Sequence, residues 1–349
     1  MKEKMLAAVF EGEGRLILKE VPVPQVEKTD DVVLKVETAS ICGSDVSILS
    51  VPPKHPANVN TILGHEFVGR VIETGKDVNH VKRGDTVVAA PNLSCGLCRY
   101  CRKGMPDMCE NSTTLGIFVD GGFAEYSKAP AKALYKISKK VSPEQAVFVE
   151  PLSCVVNAIN KLGMKSEEVV VILGAGPMGL LFVQMVKVAG AGKIIVSEIS
   201  EPRAKKAYDS GASLVVNPQK EDLSSIVRGE TGIGADVVID AVGTLLVDSL
   251  QIVRKSGRIL LFGLNEGFST PIRQFEITHN SITVMGSYIE RFNYSSAIAL
   301  VEDGVLNLGK LITHRLPLKK IHKGIDLMRK GEAVKIILFP SNVSRSRSD

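Results

Sequence analysis

The sequence predicts an α/β chain of two domains, a β-rich and partly barrelled one and then a doubly wound parallel sheet. Three observations carry that reading. At 349 residues the chain exceeds what one hydrophobic core usually serves, and its 44% apolar content can fill two. Up to about residue 150 the apolar runs are short and punctuated by Gly and Pro, at 7–10, 31–36, 67–72 and 85–88. From about 166 to 286 the rhythm becomes apolar strand, Gly-rich turn and helix, with strand-length runs at 169–173, 193–197, 213–216, 237–239, 258–262 and 282–285. A last strand, 334–338, has no helix after it and is expected to return to the first domain.

Bulk properties exclude several classes of function. The 43 Lys and Arg exceed the 38 Asp and Glu by a formal +5, but they are scattered rather than gathered into a stripe, so nucleic-acid binding gets no support. The first ten residues hold only a short apolar stretch after two lysines, too short for a secretory leader, and a cytoplasmic chain is expected. The apolar segment 169–186 is interrupted by Gly174, Gly176, Pro177, Gly179 and Gln184, so it reads as strand, turn and helix and not as a membrane span. Residues 341–349 alternate Ser and Arg and are expected to form a flexible tail.

Three groups of residues carry chemistry in the first domain. Cys42-Gly43-Ser44-Asp45 and Gly64-His65-Glu66 supply a thiol, an imidazole and a carboxylate, a mixed set that suits a catalytic zinc with one position left open. Cys95, Cys98, Cys101 and Cys109 stand within fifteen residues of a chain that has only two other cysteines. Their spacing lets short turns aim four thiolates at one tetrahedron, the closed geometry of a structural zinc; the competing disulfide knot lacks a secretory context. Glu150, in Glu150-Pro151-Leu152, is a further carboxylate at the domain junction, and Cys154, one helical turn later, reads as a packed thiol.

The second domain opens on Gly174-Ala175-Gly176-Pro177-Met178-Gly179, directly after the strand 169–173 and before an apolar helix. Gly174 permits a tight turn, Gly176 lets a pyrophosphate approach the backbone, and Gly179 lets helix and strand pack closely. The next strand ends at Glu198, where a carboxylate accepts hydrogen bonds from ribose hydroxyls and repels a 2′-phosphate, which favours NAD over NADP. Arg203 is a candidate for the adenine side and equally a solvated helix residue.

With these residues the chain resembles the zinc-containing medium-chain dehydrogenases, and within them the sorbitol (L-iditol) dehydrogenase-like polyol branch. The resemblance spans nearly the whole chain and also includes Gly121-Gly122-Phe123-Ala124-Glu125-Tyr126 and Thr313-His314-Arg315. It implies a GroES-like catalytic domain over 1–150 with a structural zinc lobe at about 91–110, a Rossmann-like NAD-binding domain over 151–287, and a return to the catalytic domain over 288–340. It also implies a catalytic zinc held by Cys42, His65 and one glutamate, either Glu66 or Glu150, so that each chain carries two zinc ions. Ser44 resembles the hydroxyl that accepts the alcohol proton. Ser47 stands where many relatives have a histidine, as the far end of this relay or as a substrate contact, which leaves the exit unassigned.

The implied activity is NAD-dependent oxidation of a secondary hydroxyl of a polyol, sugar or sugar-acid derivative, in a homo-oligomer, dimer or tetramer, with 282–285 as a pairing edge. Threonine 3-dehydrogenase chemistry is the nearest alternative. Sugar phosphates or cyclitols are hinted at only by the spare charges Arg291 and Arg315, and a non-catalytic nucleotide sensor with structural zinc is the alternative of another class.

Overall fold

The computed structural model describes residues 3–340, so the expected tail over 341–349 lies outside the described residues. The chain divides into two compact units, one of residues 3–150, 294–303 and 312–340, the other of 151–293 and 304–311. Among the described residues no helix is long and apolar enough to cross a membrane.

The first unit begins with β1 (Lys4–Phe10), β2 (Leu16–Pro22), β3 (Asp31–Ser40), helix α1 (Gly43–Ile48), β4 (Thr61–Ile62), β5 (Glu66–Thr74) and β6 (Thr86–Ala89). A lobe follows, made of β7 (Asn92–Leu93), α2 (Arg99–Arg102) and β8 (Thr113–Thr114), and then β9 (Tyr126–Pro130), β10 (Leu134–Lys136) and α3 (Pro143–Ala146). Strand β2 escaped the sequence reading because Lys19 and Glu20 interrupt its apolar residues, yet it pairs with β1 over seven residues. β3 and β5 form the antiparallel centre, with Ser40 opposite Glu66. Val32, Val33, Leu34, Val36 and Phe67 from this pair are buried in the core.

The second unit contains all but the first two residues of α4 (Val149–Leu162), then β11 (Val169–Leu173), α5 (Pro177–Val188), β12 (Lys193–Ser197), α6 (Glu201–Ser210), β13 (Leu214–Val216), α7 (Leu223–Thr231), β14 (Ala235–Asp240), α8 (Leu246–Ile252), β15 (Val253–Leu261), α9 (Gln274–His279) and β16 (Thr283–Gly286). All its strands are parallel, in the order β13-β12-β11-β14-β15-β16. The central strand β11 is a continuous Val, Ile and Leu run, and β14 buries Val237, Val238 and Ile239, because both faces of such a sheet are covered. β15 starts five residues before the expected run, since it carries the Ser256-Gly257 break, with Ser256 at φ +56°, inside the strand.

The chain then forms α10 (Tyr294–Glu302), β17 (Ile312–Pro317), α11 (Ile321–Arg329) and β18 (Lys335–Phe339). β18 pairs with β3 through Ile337 opposite Ser40, and with β17 in parallel, which completes a seven-stranded sheet in the first unit.

Candidate functional site

In the lobe of the first unit, the sulfurs of Cys95, Cys98, Cys101 and Cys109 all lie within 4.8 Å of one another. Backbone N–H groups point at them: Cys109 Sγ accepts from Cys95 N (3.3 Å), Cys95 Sγ from Leu97 N (3.4 Å) and Cys98 N (3.3 Å), and Cys98 Sγ from Cys101 N (3.5 Å). The bonds from Leu97 and Cys98 pull the Cys95 thiol down to about 6, and the bond from Cys101 lowers Cys98, whereas burial pushes Cys101 up to about 11. Donors aimed at sulfur favour thiolates, and clustered thiolates require a cation between them. The lobe therefore fits a tetrahedral Zn²⁺.

The second cluster gathers where β3, α1 and β5 meet. Cys42 Sγ, a ring nitrogen of His65 and a carboxylate oxygen of Glu66 lie within 4.8 Å of one another. Gly64 starts this segment at φ +93°, a conformation an L side chain rarely adopts, and Gly121 packs so closely that a Cβ on it would stand 2.3 Å from the Gly64 carbonyl oxygen. Those two contacts give the Gly-His-Glu and Gly-Gly-Phe-Ala-Glu-Tyr sequences their joint meaning: one carries the site and the other leaves room for it.

A single carboxylate aligns two of the three groups. Asp45, fully buried at the third position of α1, accepts from the Cys42 backbone N–H (2.8 Å), which is half of a capping box. Its other oxygen faces His65 Nδ1 at 3.7 Å, and neither atom has a hydrogen-bond partner among the described residues. That arrangement favours the proton on Nδ1 and leaves the Nε2 lone pair for a ligand, as in carboxylate–histidine–metal triads. The Ser44 hydroxyl stands 3.3 Å from Nε2.

The electrostatics ask for a cation. Burial, with Glu66 and Asp45 beside it, pushes the Cys42 thiol up to about 12, and burial raises Asp45 to about 6. Burial pulls the His65 imidazole down, but Asp45, Glu150 and Glu66 together outweigh it and the net shift is upward. Burial and the carboxylates beside it thus keep a proton on the Cys42 thiol that a bound divalent ion would displace. Sulfur, nitrogen and oxygen donors together suit Zn²⁺.

Two partners of Glu66 were not anticipated from sequence. Its Oε2 accepts from the Ser40 hydroxyl and from Lys335 Nζ, and Lys335 is 3% exposed. The clue was present: a lone lysine in an otherwise apolar buried strand. Thr313 shapes this strand, donating to the Lys335 carbonyl (3.2 Å) and accepting from Val334 N (3.1 Å) across a β17–β18 irregularity. Arg315 is not a spare charge: it holds Glu144 at 2.9 Å and 3.0 Å, which withdraws one of the two hints of a sugar phosphate. Glu150 lies in the first turn of α4, and Cys154, one turn on, is buried.

In the second unit, β11 and β14 are neighbours whose connections leave in opposite directions, so their carboxyl ends flank a switch-point crevice. Gly174 turns there at φ +94°, and a Cβ on Gly179 would stand 1.9 Å from the Gly174 oxygen. Nothing would meet a Cβ on Gly176, and no side chain caps α5, whose first helical residues are Pro177 and Met178. An uncapped helix N-terminus behind a glycine turn of this kind offers free N–H groups that suit a phosphate. Glu198 is 7% exposed and accepts from Ala175 N (2.7 Å) and Ser200 N (2.8 Å), so it braces the glycine loop. Arg203 is half-buried in α6, its Nε without a hydrogen-bond partner among the described residues. Sequence reasoning missed Asp240, which accepts from Val242 N, Gly243 N and Leu245 N and so builds the opposite wall; Asp at a strand end with Gly three residues on was the available signal.

A buried Cys-His-Glu cluster, a four-cysteine lobe and a dinucleotide crevice on one chain define a zinc-dependent dehydrogenase. The alcohol dehydrogenase GroES-like domain family matches residues 28–139, and the zinc-binding dehydrogenase family matches residues 177–303. An L-threonine 3-dehydrogenase of Caldanaerobacter subterraneus is 36% identical, with 95% of this chain and 97% of that protein covered. An erythritol/L-threitol dehydrogenase of Mycolicibacterium smegmatis is 32% identical over 97% of this chain and 98% of that protein. The crystal structure of a zinc-binding dehydrogenase of Sinorhizobium meliloti 1021 bound to NADP superposes with a TM-score of 0.92 at 32% identity, over 97% of this chain and 100% of that one. The chain belongs to the zinc-containing medium-chain dehydrogenases and is an oxidoreductase.

Proposed function

We propose that this enzyme oxidises a secondary hydroxyl of a polyol, sugar or sugar-acid derivative to the ketone, reversibly, with NAD as the acceptor. The observation that carries this reading is the Cys42, His65 and Glu66 cluster, with Glu150 near enough to raise His65. Cys42, His65 and Glu66 would hold the catalytic zinc, Glu150 being a water-bridged or alternative ligand, and Cys95, Cys98, Cys101 and Cys109 the structural one. Zn²⁺ bound there supplies a Lewis acid that makes a substrate hydroxyl acidic near neutral pH. Asp45 keeps the His65 proton on Nδ1. Ser44 Oγ, beside His65 Nε2, takes the proton from the substrate hydroxyl and hands it outward.

Gly174, Gly176, Pro177, Met178 and Gly179 cradle the pyrophosphate, and Glu198, with Arg203 near the adenine, reads the ribose. The NADP in the Sinorhizobium relative makes this a point to test. Glu198→Ala should reduce kcat/KM with NAD about tenfold and narrow the NAD to NADP preference, since a buried carboxylate hydrogen-bonded to a ligand contributes about 1.5–3 kcal/mol. Unchanged kinetics with both cofactors would remove Glu198 from cofactor selection.

L-threonine is the second reading, favoured by the Caldanaerobacter relative. A threonine site needs a cation for the carboxylate, and Lys335 and Arg315 are already paired with Glu66 and Glu144, which supports the polyol. NADH formation with tetritols, pentitols, hexitols and L-threonine, on zinc-loaded protein, decides: higher kcat/KM with L-threonine replaces the polyol assignment. A homo-oligomer completes the proposal, because β16 is a sheet edge with Thr283 and Gly286 exposed; light scattering that gave only the monomer mass would refute it.

A further inference from the structure

The loop after β16 is held in a strained shape by one buried side chain. Ile289 has φ +37° and Phe292 φ +56°, the left-handed region, which a β-branched residue such as isoleucine strongly disfavours. Asn157, on α4 and 4% exposed, donates from Nδ2 to the carbonyls of Ile289 (2.7 Å) and Tyr288 (3.4 Å). Asn293 Oδ1 closes the far end by accepting from Arg291 N (2.9 Å). At the near end Ser287 is 6% exposed, and its hydroxyl has no hydrogen-bond partner among the described residues. Such strain persists only where surrounding contacts enforce it, and it collects where a surface must be fixed for a ligand.

The sheet register says which ligand. Leu173, Asp240, Leu261 and Gly286 form one row across β11, β14, β15 and β16, so Gly174 and Ser287 emerge from the same edge. Three strand spacings, about 14 Å, separate the two strands, so a dinucleotide whose pyrophosphate lies on the first loop can direct its other half along that edge toward the second. With the pyrophosphate on the loop after β11, the nicotinamide half extends toward β16.

We propose that Asn157 is a positioning residue for the nicotinamide half of the cofactor, acting by holding the Tyr288–Ile289 backbone in its left-handed turn. This rests on the dinucleotide reading of the glycine loop. The asparagine touches no cofactor atom; it sets the shape of the backbone that does. Glycine at position 289 takes the same dihedral angles without the steric cost, so the turn then forms without the asparagine.

The test is NADH fluorescence titration on the zinc-loaded wild-type protein and on Asn157→Ala, Ile289→Gly and the double variant, with zinc content and thermal midpoint measured on each. Asn157→Ala should raise the NADH Kd about five- to twentyfold and the KM for NAD with it. Its kcat at saturating NAD and its zinc content should stay within about twofold. Ile289→Gly alone should bind within about twofold of wild type, and Asn157→Ala/Ile289→Gly should recover to within about threefold. If Asn157→Ala is recovered unfolded, Asn157→Ser, too short to reach Ile289, takes its place. A thermal midpoint that falls while the NADH Kd does not move overturns the proposal and leaves the dinucleotide site intact. A double variant as weak as Asn157→Ala also overturns it, because the effect would not pass through Ile289. A wild-type protein that bound neither NADH nor NADPH would overturn the dinucleotide reading and the proposal together.

Discussion

Cys42→Ser or His65→Ala is expected to lower kcat by about a thousandfold or more while the protein stays folded and retains one zinc ion. Each removes a donor from a cluster whose members lie within 4.8 Å, and the second cluster, in the cysteine lobe, shares no residue with it. The Lewis-acid contribution of a catalytic ion is several kcal/mol, and every ~1.4 kcal/mol added to the barrier is a factor of about ten in rate. His65→Ala has a second consequence, since Asp45, which is fully buried, would lose the imidazole it faces. Asp45→Asn should therefore weaken zinc binding by about ten- to a hundredfold without removing a ligand, the usual cost of losing the carboxylate behind a metal-bound histidine. Steady-state kinetics and metal analysis on one preparation check all three variants. Turnover in Cys42→Ser equal to wild type would place the reactive centre elsewhere.

The second large effect concerns Lys335. Its ammonium and the Glu66 carboxylate are paired with side chains only 4% and 2% exposed, and Phe148 covers the ammonium with its ring centroid at 5.2 Å. Removing one member of such a pair strands the other, at a cost of about 3–5 kcal/mol, whereas removing both is close to neutral. Lys335→Met should lower the thermal midpoint of the first unit by roughly 6–20 °C, at about 2–4 °C per kcal/mol for a body of this size. Lys335→Met/Glu66→Gln should regain most of that stability. It should not regain activity, because Glu66 is also a proposed zinc ligand. Differential scanning calorimetry of the three proteins separates these outcomes, and a single variant that melts with wild type would mean that the pair contributes nothing.

Much of this arrangement was legible in the sequence because the chemistry depends on local spacing. The four cysteines lie in one short lobe, and the glycine loop follows its strand without a gap, so neighbours in sequence are neighbours in space. The six strands of the parallel sheet were legible because each is a short apolar run ended by a turn signal. What stayed hidden depends on contacts between distant segments. Lys335 meets Glu66 across 269 positions, Arg315 meets Glu144 across 171, and Asn157 meets Ile289 across 132. No periodicity encodes such pairs. Asp45 is an intermediate case: its closeness to Cys42 was visible in Cys42-Gly43-Ser44-Asp45, but its contact with His65 needed β5 brought alongside. Strand β2 was lost because a half-exposed strand carries charged residues on its outer face, which blurs the apolar run.

Cys42, His65 and a glutamate are expected to hold a reactive zinc ion separate from the one in the cysteine lobe. Anomalous diffraction from crystals of the zinc-loaded protein, collected on both sides of the zinc absorption edge, tests it directly. Two peaks per chain are expected, one among the four lobe cysteines and one bonded to Cys42 Sγ, His65 Nε2 and an oxygen of Glu66 or Glu150. A peak in the lobe alone, with density at Cys42 and His65 that shows them bonded to no common ion, would contradict the account.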